Sequence, residues 1–305
     1  MKIKIVSGII IGLFMYGGCM PANKMVSRTI KAEEVLNNIR KHRSVTYSFC
    51  TIEGHLDFTT LDPYPVNNTT QVTTVSTPLY FESCTFSGKV TAFHSNDSLN
   101  RMTRFANSVS FYNCMFRQEV NFTASTFDHI ALFSKSIFDK EVRLQAALFG
   151  NDLRIEDAFF SGNFLMQEAV VRGVFWAKQA TVSGQFLLQQ ADCWQPASLA
   201  GIKVHKYADF GLANFRRAAF FEYGEYNDKV NYSGAVFGGS AEWSSTKFLQ
   251  SVDLSNTSFY WKPVFSNVEI QGTLKQDNIK YLGEKPGFDL FNKINPVSIE
   301  YLSGK

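Results

Sequence analysis

The 305-residue chain has almost no excess charge of either sign: 30 Lys and Arg face 27 Asp and Glu, a formal +3. An avid DNA or RNA binder needs a basic stripe, so this balance argues against nucleic acid as a partner. Its N-terminal apolar run, Ile5 to Tyr16, falls short of the roughly 20 residues that cross a bilayer. No Cys-x-x-Cys, His-Glu-x-x-His, phosphate loop or Gly-x-Ser-x-Gly is present, so the common metal, nucleotide and hydrolase signatures are missing. The five histidines, His42, His55, His94, His129 and His205, share no ligand spacing. The expectation is therefore no catalytic residue, no metal site and no cofactor. A hydrophobic content of 45% excludes a mostly disordered chain. The unusual abundance is phenylalanine, whose 29 copies exceed the 21 leucines.

Those phenylalanines recur. Stepping by eleven from Phe105 gives Phe116, Phe127, Phe138, Phe149, Phe160, Val171, Val182, Cys193, Val204, Phe215, Tyr226, Phe237, Phe248, Phe259 and Ile270. Sixteen apolar or aromatic residues in a row have odds on the order of a few in a million at this composition. Four residues after each anchor come Val109, Val120, Ala131, Val142, Leu153, Phe164, Phe175 and Phe186. Six residues after it come Phe111, Phe122, Phe133, Leu144, Ile155 and Met166. Two before it the residue is small, as at Cys114, Ser125, Ser136, Ala147 and Ala158. Pairs of inward residues separated by one outward residue are short strands. A unit this small buries its apolar side chains only against copies stacked above and below, which is the logic of a solenoid. One helix would nearly fill the repeat and leave no turn, so the pattern predicts an all-β protein, a parallel β-helix. Where the anchor shrinks to Val171, Val182, Cys193 and Val204, the phase four residues on swells to Phe164, Phe175 and Phe186. A coil of fixed cross-section must be filled, so the volumes compensate.

Ala191-Asp192-Cys193, Ala208-Asp209-Phe210 and Ala213-Asn214-Phe215 resemble the units of the pentapeptide-repeat family, a small residue, Asp or Asn, then Leu or Phe. The resemblance implies a right-handed, four-sided β-helix. Here alternating units of five and six residues give 22 per coil, as in Phe-rich members. The regular repeat spans about Thr103 to Leu274, with looser copies at Cys50-Thr51-Ile52 and Cys84-Thr85-Phe86. The family is functionally diverse, and the fold alone does not specify an activity. Some members resemble duplex DNA and bind topoisomerases; a neutral, exported chain fits that role poorly.

The expected organisation is a signal over residues 1–18, an anchor and capping helix over 19–45, the β-helix over 46–274 and an irregular C-terminal cover over 275–305. Lys2 and Lys4 before the apolar run, then Gly17-Gly18-Cys19, form an export signal. Its ending resembles a bacterial lipoprotein signal, which implies lipidation of Cys19 and attachment to the outer membrane facing the periplasm. Ordinary cleavage with secretion and an uncleaved anchor are the alternatives. Residues 29–42 read as a short amphipathic helix capped by Thr29, with Ala32, Val35, Leu36 and Ile39 as its stripe. Laid over the first coil, it would blunt an open sheet end. Segments 63–79 and 94–102 are long insertions between units.

Four cysteines beyond Cys19 in an exported chain suggest two disulfides. The register instead puts Cys50, Cys84 and Cys114 in the small inward slot and Cys193 in place of a core Phe, where free thiols act as small hydrophobes. A Cys84–Cys114 bridge is the alternative. Among outward positions, Met115, Ile137 and Phe159 stack every 22 residues, and Lys203, Glu225, Lys247 and Glu269 follow as an alternating ladder. Leu132 and Trp176 lie on the adjoining face, and Leu165 and Leu187 on the wall opposite theirs. An exposed apolar stripe marks a contact surface or is covered by the chain itself. The expected function is a non-catalytic exported scaffold for an unknown protein partner or for self-association, with Met115, Leu132, Ile137, Phe159 and Trp176 as contact residues. The alternative is a polysaccharide-acting β-helix enzyme using the outward column Asp209, Asn231 and Asp253.

Overall fold

The computed structural model describes residues 28–96 and 98–283. Over this span the chain winds into a solenoid of four parallel sheets with nine to twelve strands each. In one coil it crosses them at Met115–Phe116, Val120–Asn121, Thr126–Phe127 and Ala131–Leu132, faces one to four in that order. The next coil begins 22 residues on, with Ile137 opposite Met115 and Phe138 opposite Phe116. Most strands hold one inward and one outward residue, so each gains its hydrogen bonds only from neighbouring coils. Ile137 N–H donates to Cys114 O (2.8 Å) and Asp139 N–H to Phe116 O (2.9 Å). A lone coil would leave these groups unpaired, so stacking creates both the ladder and the core.

All sixteen anchors from Phe105 to Ile270 are buried, as are the phases four and six residues later as far as Pro263 and Phe265. The anchors form two continuous columns, on faces one and three. Phe116, Phe138 and Phe160 stack with ring centroids 4.6 and 4.8 Å apart, and Phe105, Phe127 and Phe149 at 4.9 and 5.0 Å. These separations match the strand spacing of about 4.8 Å, so the offset stacking that aromatic rings favour follows from the coil pitch. Aromatic volume then shifts between columns. Phe164, Phe175 and Phe186, on faces two and four, fill the space left by the valine anchors; where this phase shrinks to Ala197, Ala208 and Ala219, Phe210, Phe221, Tyr232 and Trp243 fill the next. The Trp243 Nε1–H donates to Tyr232 Oη (3.1 Å), which gives both interior polar groups a partner.

The corners carry a second repeat. From Asn113 to Asn278, every eleventh residue has positive φ; fourteen are non-glycine, and Gly201 and Gly234 occupy the other two places. Each non-glycine left-handed residue costs on the order of 1–3 kcal/mol. The cost is offset because its N–H donates straight to the next coil, as Ala124 does to Gln145 O and Lys135 to Glu156 O, both at 2.8 Å. At Gly234 a Cβ would meet only the tip of the exposed Leu212 side chain, at 2.6 Å, a contact that a leucine rotation relieves.

The N-terminal end is closed by several devices. Residues Arg28–Lys31 form a strand paired in parallel with Cys50–Glu53, and the helix Ala32–Arg40 follows. Thr29 is therefore a strand residue, and Lys31 is the N-cap without a side-chain capping bond. The strand forms because the sheet edge at Cys50–Glu53 offers backbone partners that one capping hydroxyl cannot match. The expected stripe, Ala32, Val35, Leu36 and Ile39, is buried on the first coil, and Asn38 Nδ2 donates to Tyr47 Oη (2.9 Å).

Both insertions are hairpins rather than loose loops. Pro63–Asn67 pairs antiparallel with Thr70–Val75, and Phe93–Ser95 with Asn100–Phe105. Asn100–Phe105 also pairs in parallel with Thr70–Val75, so the two hairpins stack and extend face three sideways. Pro63 and Pro65 lie on the outermost strand, where absent N–H groups blunt an edge open to further pairing. At the other end the coil continues past Leu274 to Lys280–Tyr281, which pairs with Ser258–Phe259. Residues 1–27, with Cys19 and the expected signal, and residues 284–305 lie outside the described residues.

Phe175 is fully buried in its column. Replacing it with Ala is expected to lower unfolding free energy by about 3–5 kcal/mol, measured by denaturant titration. A loss below about 1 kcal/mol would mean the coil does not depend on this column.

Candidate interaction surface

The outward residues sit on flat sheets, so their neighbours are set by register alone. On face one, Met115 stacks on Ile137, Ile137 on Phe159, and Phe159 on Thr181. Ile137 and Phe159 are 37% and 39% exposed, and Met115 is half-buried. The hairpins extend face three and the helix closes the end, so these segments leave the stripe open. Lys203, Glu225, Lys247 and Glu269 continue the column in register. The ion pairs among the described residues form elsewhere, for example Arg117–Asp139 (2.9 Å) and Arg104–Asp128 (2.8 Å).

Leu132 and Trp176 occupy face four but do not touch, because Arg154 stacks between them. The Arg154 guanidinium lies 5.7 Å and the Lys178 ammonium 5.3 Å from the Trp176 ring centre. The corner column Lys135, Asp157 and Gln179 runs between faces four and one. The five expected contact residues thus form two strips with a polar ridge between them. Leu165 stacks on Leu187 on face two, and Leu148 on Val170 on face three. The middle coils therefore carry half-buried or exposed apolar residues on every face, a girdle of which the sequence reading captured only part. The missed pair, Leu148 and Val170, follows the same 22-residue spacing.

Face three also holds an aromatic–cation stack. The Trp194 ring lies between Arg172 (5.3 Å) and Arg216 (4.5 Å). Its Nε1–H donates to Asp192 Oδ2 (2.9 Å), and Arg216 donates to both oxygens of the same carboxylate (2.8 and 2.6 Å). The Arg216 guanidinium holds the Asp192 carboxyl below its ordinary value, with help from Trp194 and Asn214. The order Arg172, Trp194, Arg216 at 22-residue steps was the available signal.

The column Asp209, Asn231 and Asp253 does stack in register. Asp209 is only 6% exposed, and its carboxylate accepts from Gln189 Nε2 (2.7 Å), Tyr207 Oη, Gly211 N and Asn231 Nδ2 (each 2.8 Å). Gly211 permits this approach, since a Cβ there would meet Asn231 Nδ2 at 2.8 Å. Burial and the Asp209 carboxylate push the Tyr207 phenol up. Asp253 accepts from Ser255 N (2.8 Å) and Lys275 Nζ (3.3 Å). These carboxylates bracket neighbouring coils. A notch of about 440 Å³ lies at the corner between faces four and one, lined by Glu156, Asp157, Lys178, Gln179 and Tyr223. Its Glu156 carboxylate already accepts from Ser134 Oγ (2.5 Å) and Arg154 Nε (3.3 Å). Among the described residues no group of three His, Cys, Asp or Glu is placed to hold a metal.

Cys50, Cys84, Cys114 and Cys193 are buried free thiols. The first three form one column on face one, with Cys50 Sγ 3.4 Å from Cys84 Sγ. Burial pushes the Cys50 and Cys193 thiols up to about 12. Hydrogen bonding, first from Cys114, holds Cys84 down to about 6.

No curated protein and no solved structure matches the chain. Residues 102–148, the coils that carry Met115, Leu132 and Ile137, match the family model for pentapeptide repeats in nine copies, which supports the family resemblance of this repeat.

Proposed function

We propose that the protein is a non-catalytic, exported β-helix scaffold that binds a protein partner or a second copy of itself through its apolar girdle. Anchoring is through a lipid on Cys19 at a bacterial envelope. The observation that carries the contact surface is the column Met115, Ile137 and Phe159. It stands in register on a flat sheet that no other described segment covers, with Ile137 and Phe159 37% and 39% exposed. Stacked apolar side chains facing water favour a contact that removes them from it, at about 25 cal/mol per Å². Strands on a rigid ladder present such a surface with little conformational entropy to lose. Trp176 with its two cations, and Trp194 between two arginines, add the aromatic and arginine anchors typical of interface centres. The export reading rests on Lys2, Lys4, the run Ile5 to Tyr16 and Gly17-Gly18-Cys19. An enzymatic use of Asp209 and Asp253 is disfavoured by the hydrogen bonds that already occupy both carboxylates.

Phe159→Ser combined with Trp176→Ser is expected to weaken association at least tenfold while leaving the thermal transition in place. Sedimentation equilibrium and binding to envelope extract are the measurements. Unchanged mass and binding would remove this surface from consideration. Mass spectrometry of the mature N-terminus is expected to find a diacylated or triacylated Cys19. An unmodified start elsewhere would contradict the anchor and leave the surface untouched.

A further inference from the structure

Cys50, Cys84 and Cys114 repeat the same inward position in three successive coils, where later coils of the same column carry Ser136, Ala158 and Ala180. Alanine satisfies the packing there, so the slot does not itself require sulfur. Parallel neighbours about 4.8 Å apart lie within the Cα separation of 4.4–6.8 Å that a disulfide spans. The two sulfurs of Cys50 and Cys84 already approach to 3.4 Å. Cys114 lies on the other side of Cys84, with its thiol on the carbonyls of Phe81 (3.5 Å) and Tyr112 (3.4 Å). Cys50 is the most exposed of the three, one strand from the end of its sheet.

We infer that Cys50 and Cys84 are a modification site, joined by a disulfide when the protein meets hydrogen peroxide. In the first step the Cys84 thiolate attacks a peroxide oxygen; the O–O bond breaks and hydroxide leaves, taking up a proton to become water. In the second, the Cys50 sulfur attacks the sulfur of the Cys84 sulfenic acid; the S–O bond breaks and a second water leaves with the Cys50 proton. Two thiols lose two electrons, and one peroxide is reduced to two waters. Cys84 is assigned the first step because it is the middle thiol of the column and its sulfur already lies 3.4 Å from that of Cys50, the group that must resolve it. The bond would close a loop that contains the hairpin Pro63–Val75 and would fasten the first coil to the second. Removing freedom from the unfolded chain in this way stabilises the capped end.

The test uses the full chain, treated with excess hydrogen peroxide, quenched, unfolded, alkylated and digested with trypsin. Cys50 and Cys84 share one tryptic peptide, Ser44–Lys89, while Cys114 falls in Phe105–Arg117. The expected result is a Ser44–Lys89 peptide that escapes alkylation and an alkylated Phe105–Arg117 peptide. The melting transition should rise with oxidation and fall back with dithiothreitol. Cys114→Ser should behave like the parent, and Cys50→Ser should lose the shift. Alkylation of both Cys50 and Cys84 after peroxide, or linkage of the Ser44–Lys89 peptide to Phe105–Arg117, would overturn the assignment.

Discussion

One constraint governs this molecule: each coil must fill a closed cross-section while its backbone bonds only to the coils on either side. The two requirements meet in the pitch. A strand spacing of about 4.8 Å is also the separation at which aromatic rings stack, so one translation serves both the ladder and the Phe columns. The left-handed corners depend on the same translation, since their strain is offset by hydrogen bonds that exist only when the next coil is in register. Remove the neighbour and the strand, the ring stack and the corner all lose their support. Stability is then a sum over interfaces between coils, as in other solenoids.

Inward positions were legible in the sequence because they obey that constraint directly. The eleven-residue phase, the compensation of Val171 and Val182 by Phe164 and Phe175, and the placement of Cys50, Cys84 and Cys114 in one slot all follow from filling a fixed section. The features that were not legible answer to other causes. The hairpins at Pro63–Val75 and Phe93–Phe105 bond mainly to each other, so their order comes from pairing two insertions distant in sequence. The corner conformation at Ala124, Lys135 and Ala146 leaves no compositional mark, because any residue is tolerated when the next coil supplies an acceptor. Thr29 looked like a helix cap only while the sheet edge beside it was unknown. The C-terminal limit at Leu274 fell short because Gln276 and Asp277 interrupt the apolar pattern, although Tyr281 continues the eleven-residue phase and stacks on Phe259.

The outward positions escape the constraint, and for that reason they carry information about use. Most coils spend them on hydrogen-bonded brackets such as Asp209 with Gln189, Tyr207 and Asn231, or on ion pairs that span coils. The middle coils instead place Ile137, Phe159, Leu165, Leu187, Leu148 and Trp176 outward on rigid, flat walls. Polar residues occupy the same columns elsewhere, so the fold does not call for apolar ones here. They are the residues on which the proposed binding role rests. The helix at the N-terminal end and Pro63 and Pro65 on the outermost strand blunt edges that would otherwise be open to strand pairing.

Native-state hydrogen exchange followed peptide by peptide tests the central claim most directly. A stacked, dry interior predicts one continuous band of strongly protected amides through the coils that contain Phe138, Phe149 and Phe160, weakening only toward the two ends. Rapid exchange in those coils, or an exchange and circular dichroism signature of α-helix there, would contradict it.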